Sequence, residues 1–423
     1  MIGRLDVGGA LETVGIYAHY DGQPVNASAW DSDPWAATLR TASLESGGSE
    51  IPLPDTGTTI DDEWRLYARA AADDKAPIMA ILAAFDALKT KDITPARNIV
   101  FLFEGEEEAG SPHLRDYLQK YAHDLAADAW LLCDGPVHQS RRPQLVFGVR
   151  GITSLELTVY GANRALHSGH YGNWAPNPAM ELAQLLASMK DAQGRVTVEG
   201  FYDSVTPIGD AERRALDAMP TVDELLKQEL GLNRTEGGGI RLEERLLLPS
   251  LNIRGLESAT VGSTARNIVP ASATADIDIR LVQGNDPAHM LDRVEHHIRT
   301  LGWHIVRDEP DDTTRRAHKK IARVVRHEGY RAARTGLDDP RLKQIILDAG
   351  AAAQTITGKP IVLTPTLGGS LPVYLFEDEL HAPFLIVPIA NHDDNQHAPN
   401  ENLRLGNLRY GIALMSALMA PDQ

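Results

Sequence analysis

The chain has 423 residues, 43% hydrophobic and 23% charged, the composition of a folded globular protein too long for one ordinary core. Its net charge of −17 leaves no basic face for nucleic acid, and no apolar run nears the roughly 20 residues of a membrane span. The lone cysteine, Cys133, excludes an internal disulfide and points to a reducing, cytoplasmic setting, and the start Met1-Ile-Gly-Arg-Leu-Asp6 has no signal-peptide core.

Residues 13–18 read as a buried strand that ends in His19-Tyr20-Asp21. Residues two apart on extended chain share a face, so Asp21 can support a metal-binding His19. A surface histidine beside a turn aspartate is the plain alternative. Residues 30–63 read as a long loop or hairpin, and residues 64–68 as another strand. Asp73 and Asp74 precede Pro77 and a helical pattern over 78–88. Capping at the positive helix end explains one of those aspartates better than two.

The apolar run 98–103 turns abruptly into Glu104-Gly-Glu-Glu-Glu108 and closes on Gly110-Ser-Pro112. Adjacent carboxylates repel, so a divalent cation would relieve the cluster; a solvated acidic loop is the rival reading. A helix is expected over 113–121. The apolar run 129–133 stops at Asp134-Gly-Pro136, and the run 384–388 stops just before Asn391 to Glu401. Four apolar runs thus end, on their C-terminal side, in His, Glu or Asp. In a parallel α/β sheet those ends share one crevice, so one metal site built from distant segments is expected.

The middle of the chain differs. Residues 154–160 and 274–282 alternate, the mark of a half-exposed antiparallel sheet, and helical patterns lie at 178–189 and 287–301. The expected architecture is an α/β domain with a mainly parallel sheet, formed by residues 1–148 and 331–423. An α+β domain over 149–330 is inserted into it. The chain returns through a helix at 340–355 and a strand near Ile361.

The segments His19-Tyr-Asp21, Asp73-Asp-Lys75, Glu107-Glu-Ala-Gly-Ser111, Asp134-Gly-Pro136, Leu166-His-Ser-Gly169, Gly368-Gly-Ser-Leu-Pro372 and His397-Ala-Pro-Asn-Glu401 come in a familiar order. Together they resemble the M20 family of metallopeptidases over nearly the whole chain. Tyr20 to Pro24 and Glu104 to Pro112 look most like its carnosinase-type dipeptidase branch. The resemblance implies a zinc-peptidase-like catalytic domain with an inserted dimerisation, or lid, domain. It implies two divalent metal ions per subunit, zinc first, with manganese or cobalt also suited to such ligands. Asp73 would bridge the two ions. His19 and Asp134 would complete one site, Glu108 and His397 the other. Glu107 would be the general base and Asp21 the residue that orients His19. His167 would act in the site of the partner subunit of a homodimer. Arg280 would hold a substrate carboxylate, with Asn267, Gly369 and Ser370 as further substrate contacts. The implied reaction is hydrolysis of dipeptides or, alternatively, of N-acyl amino acids.

Amide hydrolysis needs this inventory: an activated water, a polarised carbonyl and a proton for the leaving amine. Some positions have rivals. An ion pair with Asp276 or Asp278 would also explain Arg280, His392 competes with His397, and His167 could be a turn histidine. Two departures from the family pattern stand out. His19 comes early, so cover at a sheet edge is expected to be missing. Alanines stand at 18, 68, 70 and 76 where the family has glycines, which is costly wherever φ is positive.

Overall fold

The computed structural model describes residues 1–421; residues 422 and 423, the end of the third expected segment, lie outside it. Its main sheet has seven strands in the order Ile2–Leu5, Asn98–Glu104, Thr13–His19, Ala129–Leu132, Phe384–Ile386, Gln144–Val146 and Val362–Thr364. The second to fifth of these are neighbours and mutually parallel. They are the four apolar runs that end in candidate ligands, so their C-terminal ends lie side by side.

These strands read as continuous apolar runs because both faces are covered. On one face Val14, Ile16, Ile99 and Leu131 pack with Ala80, Ile81 and Ala84 of the helix Ala76–Thr90 and with Leu414 and Met415 of the helix Leu405–Met419. On the other, Tyr17, Val100, Leu102 and Trp130 pack with Leu114 and Leu118 of the helix Leu114–Lys120 and with Phe376 of the helix Tyr374–Leu380.

A second, five-stranded sheet draws only on residues 151–330. Its long strands Gly151–Tyr160, Ser272–Leu281 and Ile321–Tyr330 pair antiparallel. Leu155, Leu157, Ile277 and Ile279 face a core closed by the helices Pro178–Ala187 and Pro287–Thr300. Both helices begin on a proline behind a capping side chain, Asn177 and Asp286. The alternate residues form a polar face. Within the same stretch, the helix Asp210–Ala218 leaves this sheet: Leu216 and Met219 pack on Val362 of the main sheet.

Residues 30–63 contain more order than a loop. Thr38–Arg40 and Glu50–Ile51 form a hairpin, joined by Arg65–Tyr67 and Asn402–Arg404 into a four-stranded sheet. The strands have two or three residues each, too short for a periodic signal, and one partner lies far away in sequence. At the edge of the main sheet, exposed Tyr20 and Tyr117 line a groove of about 850 Å³ beside the strand Ile2–Leu5.

Of the four alanines standing for glycine, Ala70 is the one in the left-handed region, at φ 60°. An L-residue loses roughly 1–2 kcal/mol there, and glycine loses roughly 0.5–1 kcal/mol of chain entropy. Ala70→Gly is therefore expected to stabilise the protein by about 0.5–1 kcal/mol, read as a higher urea midpoint with an unchanged m-value.

Candidate active site

His19 is the last residue of its strand and is fully buried. Its Nε2 lies 3.0 Å from Asp73 Oδ1 and 4.0 Å from Asp134 Oδ2. His397 Nε2 lies 3.1 Å from the other Asp73 oxygen, Oδ2, and 3.2 Å from Glu108 Oε2. Two three-residue groups result, His19–Asp73–Asp134 and Asp73–Glu108–His397, each with its ligand atoms within 4.8 Å of one another. Asp73 gives one oxygen to each. Of the two candidate histidines, His397 is the one brought to the cluster, and His392 is not part of it.

Glu107 belongs to neither group. Its Oε2 stands 3.9 Å from His19 Nε2, and its side chain lines a small cavity with Tyr17, Asp134 and Leu371. Glu107 and Glu108 separate because a 3-10 turn, Glu107–Ala109, sends adjacent side chains in different directions. Asp21 Oδ1 lies 3.3 Å from His19 Nδ1, while its Oδ2 accepts the Glu108 N–H at 3.0 Å. One carboxylate thus steadies a residue of each group.

The electrostatics point one way. Burial, then the Asp134 charge, pushes Glu107 up to about 8. Burial, then Asp73, pushes Asp134 up to about 6. Burial pulls His19 down, but the Asp73 hydrogen bond and the surrounding aspartates carry it up to about 11. Hydrogen bonds to Asp73 and Glu108 carry His397 up to about 10. Burial pushes Asp73 up as well, but hydrogen bonds from His19 and His397 hold its carboxyl well below the usual range; the raised Glu107, Asp134, His19 and His397 together describe a deficit of positive charge. Divalent cations on these oxygen and nitrogen donors would fill it, and the donor set fits them.

The remaining expected residues fall in two places. Arg280 projects from the polar face of the lid sheet: Nη1 donates to Ser370 Oγ at 2.7 Å, and Nε lies 3.5 Å from Asp278. The ion-pair reading and the loop contact therefore coexist, while Asp276 pairs with Arg254. Gly369 accepts the Arg150 N–H through its carbonyl. His167 lies on a two-stranded ribbon of the lid, Leu166–His167 with Ile268–Val269, and Asn267 just before the second strand accepts the Ser168 N–H through its carbonyl. His167 is exposed, accepts from the Gly169 N–H and lies against the tilted ring of His170, contacts that do not reach the cluster of its own chain.

Four residues of the site went unassigned in the sequence reading. Glu401 is fully buried and accepts from the backbone N–H groups of Ala70, Ala72 and Asp73 and from Arg69 Nη1 at 2.7 Å. It pins the backbone that presents Asp73. Gln396 donates to Asp73 Oδ2, Gln23 to Glu108 Oε2, and Asp74 accepts the His19 N–H. Glu401 closes the His397 motif, which was its one visible signal.

The model of peptidase family M20/M25/M40 matches residues 15–420. The Cys-Gly metallodipeptidase dug1 of Schizosaccharomyces pombe is 28% identical over 411 residues, spanning 95% of this chain and 78% of that protein. Human Beta-Ala-His dipeptidase is 25% identical over 415 residues, spanning 96% and 74%. Among solved structures, the M20 family metallo-carboxypeptidase Sso-CP2 from Sulfolobus solfataricus aligns with a TM-score of 0.76 at 27% identity, over 99% of this chain and 86% of that one. The match runs through both ligand groups and the lid: the chain belongs to peptidase family M20/M25/M40.

Proposed function

We propose that this peptidase is a two-metal hydrolase of dipeptides, with Glu107 as its general base. The observation that carries the reading is the pair of ligand groups sharing Asp73, with Glu107 beside them and outside both. The naming of its relatives as Cys-Gly and Beta-Ala-His dipeptidases supports the substrate class.

His19, Asp73 and Asp134 would hold one cation, and Asp73, Glu108 and His397 the other. Zinc suits the donors, as do manganese and cobalt. Bound there, the cations would polarise the scissile carbonyl and acidify the attacking water. Glu107 accepts the water proton as the oxygen bonds to the carbonyl carbon. It then delivers that proton to the amide nitrogen as the C–N bond breaks. Asp21 holds the His19 imidazole in orientation. Arg280, steadied by Ser370, pairs with the substrate carboxylate, with Gly369 in the same loop. His167, with Asn267 beside it, serves the site of a second subunit as a donor to the developing oxyanion.

Elemental analysis combined with a substrate panel tests this. About two metals per chain, hydrolysis of α- and β-alanyl dipeptides, and loss of both on chelation are expected. Faster turnover of acetylated or succinylated amino acids would make it a deacylase, and metal binding without any hydrolysis a scaffold. Mixing inactive His167→Ala and Glu107→Ala proteins tests the shared site. Random reassortment of dimers leaves one intact site in each mixed dimer and should restore about a quarter of wild-type activity.

A further inference from the structure

Ser250, Arg280, Ile152 and Tyr330 stand abreast on four neighbouring strands of the lid sheet. Residues directly opposed on antiparallel strands turn their side chains to one face. Here it is the face away from the lid helices, since the alternating neighbours Leu251, Ile279 and Leu281 are buried in the lid core. The row meets the 368–373 loop and the first residue of the helix that follows it at two points. Arg280 donates to Ser370, and the Tyr330 ring stacks on Tyr374 with centroids 5.8 Å apart and planes at 17°. Between those points the loop carries Leu371, Pro372 and Val373, which line the small cavity with Glu107. Arg280 and Tyr330 thus flank the segment that lines the Glu107 cavity, and beyond burial the charges of Glu107 and Arg280 act on the Tyr330 phenol in opposite directions.

The charge at the Arg280 end is unbalanced. Arg150 is buried behind it, with Nη2 donating to Leu248 O and Ser250 Oγ. Burial, then the Arg280 charge, pulls Arg150 down to about 10, with Asp278 opposing the pull and Arg245 adding to it. With Asp278 the carboxylate paired to Arg280, the local charge favours an anion. Burial, then the Glu107 charge, pushes the Tyr330 phenol up to about 12, so at neutral pH it keeps its proton and is a donor.

We propose that the Tyr330 hydroxyl is a second anchor for the C-terminal carboxylate of the substrate, donating to it beside Arg280, and that this pair selects peptides with a free carboxyl end. The assignment rests on the dipeptidase reading and adds to it a binding residue on the last position of the lid strand Ile321–Tyr330. The Tyr330–Tyr374 stack alone would be a structural strut between the domains. Tyr330→Phe separates the two roles, because it keeps the ring and removes the O–H.

The test compares wild type and Tyr330→Phe, both metal-loaded, on a dipeptide and on the same dipeptide amide. The same dipeptide is titrated by calorimetry into Glu107→Ala with and without Tyr330→Phe, where it binds without turnover. A hydrogen bond to a charged group predicts that Tyr330→Phe raises KM and Kd for the dipeptide about tenfold or more. It should change kcat by less than about twofold, leave the amide's KM unchanged and leave the melting temperature unchanged. Unchanged KM and Kd for the dipeptide, an equal loss on the amide, or a loss confined to kcat would each overturn the assignment. Should wild type hydrolyse no dipeptide yet bind it in a Tyr330-dependent way, the proposed activity fails and the anchor stands. Should it hydrolyse dipeptides with Tyr330→Phe unaffected, the anchor alone fails.

Discussion

Glu107→Gln is expected to lower kcat/KM for a dipeptide by roughly 10²–10⁴-fold while the protein keeps its full metal content. The side chain keeps its size and loses only its capacity to accept a proton. Because Glu107 lies outside both ligand groups, at 3.9 Å from His19 Nε2, its replacement removes no ligand. Glu108→Gln, one residue on, should do the reverse and weaken the binding of one metal, since Glu108 Oε2 faces His397 at 3.2 Å. Elemental analysis and steady-state kinetics on the two variants separate the roles. An active Glu107→Gln enzyme would remove Glu107 as the base.

Glu401→Ala should cost about 3–5 kcal/mol of stability and reduce metal binding without touching a ligand. The Glu401 carboxylate accepts three backbone N–H bonds and the Arg69 guanidinium, and its side chain and that of Arg69 are 1% and 3% exposed. All four partners are donors, which a carboxylate satisfies and a neutral acid does not. Truncation strands the buried Arg69 charge and frees the backbone at Asp73, on which both ligand groups depend. Glu401→Gln, which keeps the shape and loses the charge, should fall between wild type and alanine. Urea unfolding of the metal-free proteins and metal titration of the folded ones measure the two effects. Full stability in Glu401→Ala would mean that water replaces the carboxylate at those donors.

Much of this arrangement was legible in the chain. The strands Thr13–His19, Asn98–Glu104, Ala129–Leu132 and Phe384–Ile386 are covered on both faces, so they read as unbroken apolar runs. The candidate ligands follow their C-terminal ends, where side-by-side parallel strands bring them together. The alternation of Leu155, Leu157, Ile277 and Ile279 marked a sheet with one polar face for the same reason, since period two is imposed by the pleat. The hairpin within residues 30–63 was not legible as part of a sheet. Strands of two or three residues carry no period, and their partner Asn402–Arg404 comes from the far end of the chain.

By itself the sequence determined the class of fold, the order of the segments that carry the candidate ligands and the residue types gathered at the cluster. These depend on local pattern: burial, turn chemistry and the residue at the end of each strand. Tertiary structure alone decided which oxygen of Asp73 faces which histidine, that His397 and not His392 meets Glu108, and that Glu401 supports the whole group from behind. It also set Tyr330 abreast of Arg280, through two strand registers that no local signal specifies. Each of these is a relation between segments far apart in sequence, fixed by packing and by the need to satisfy buried polar groups.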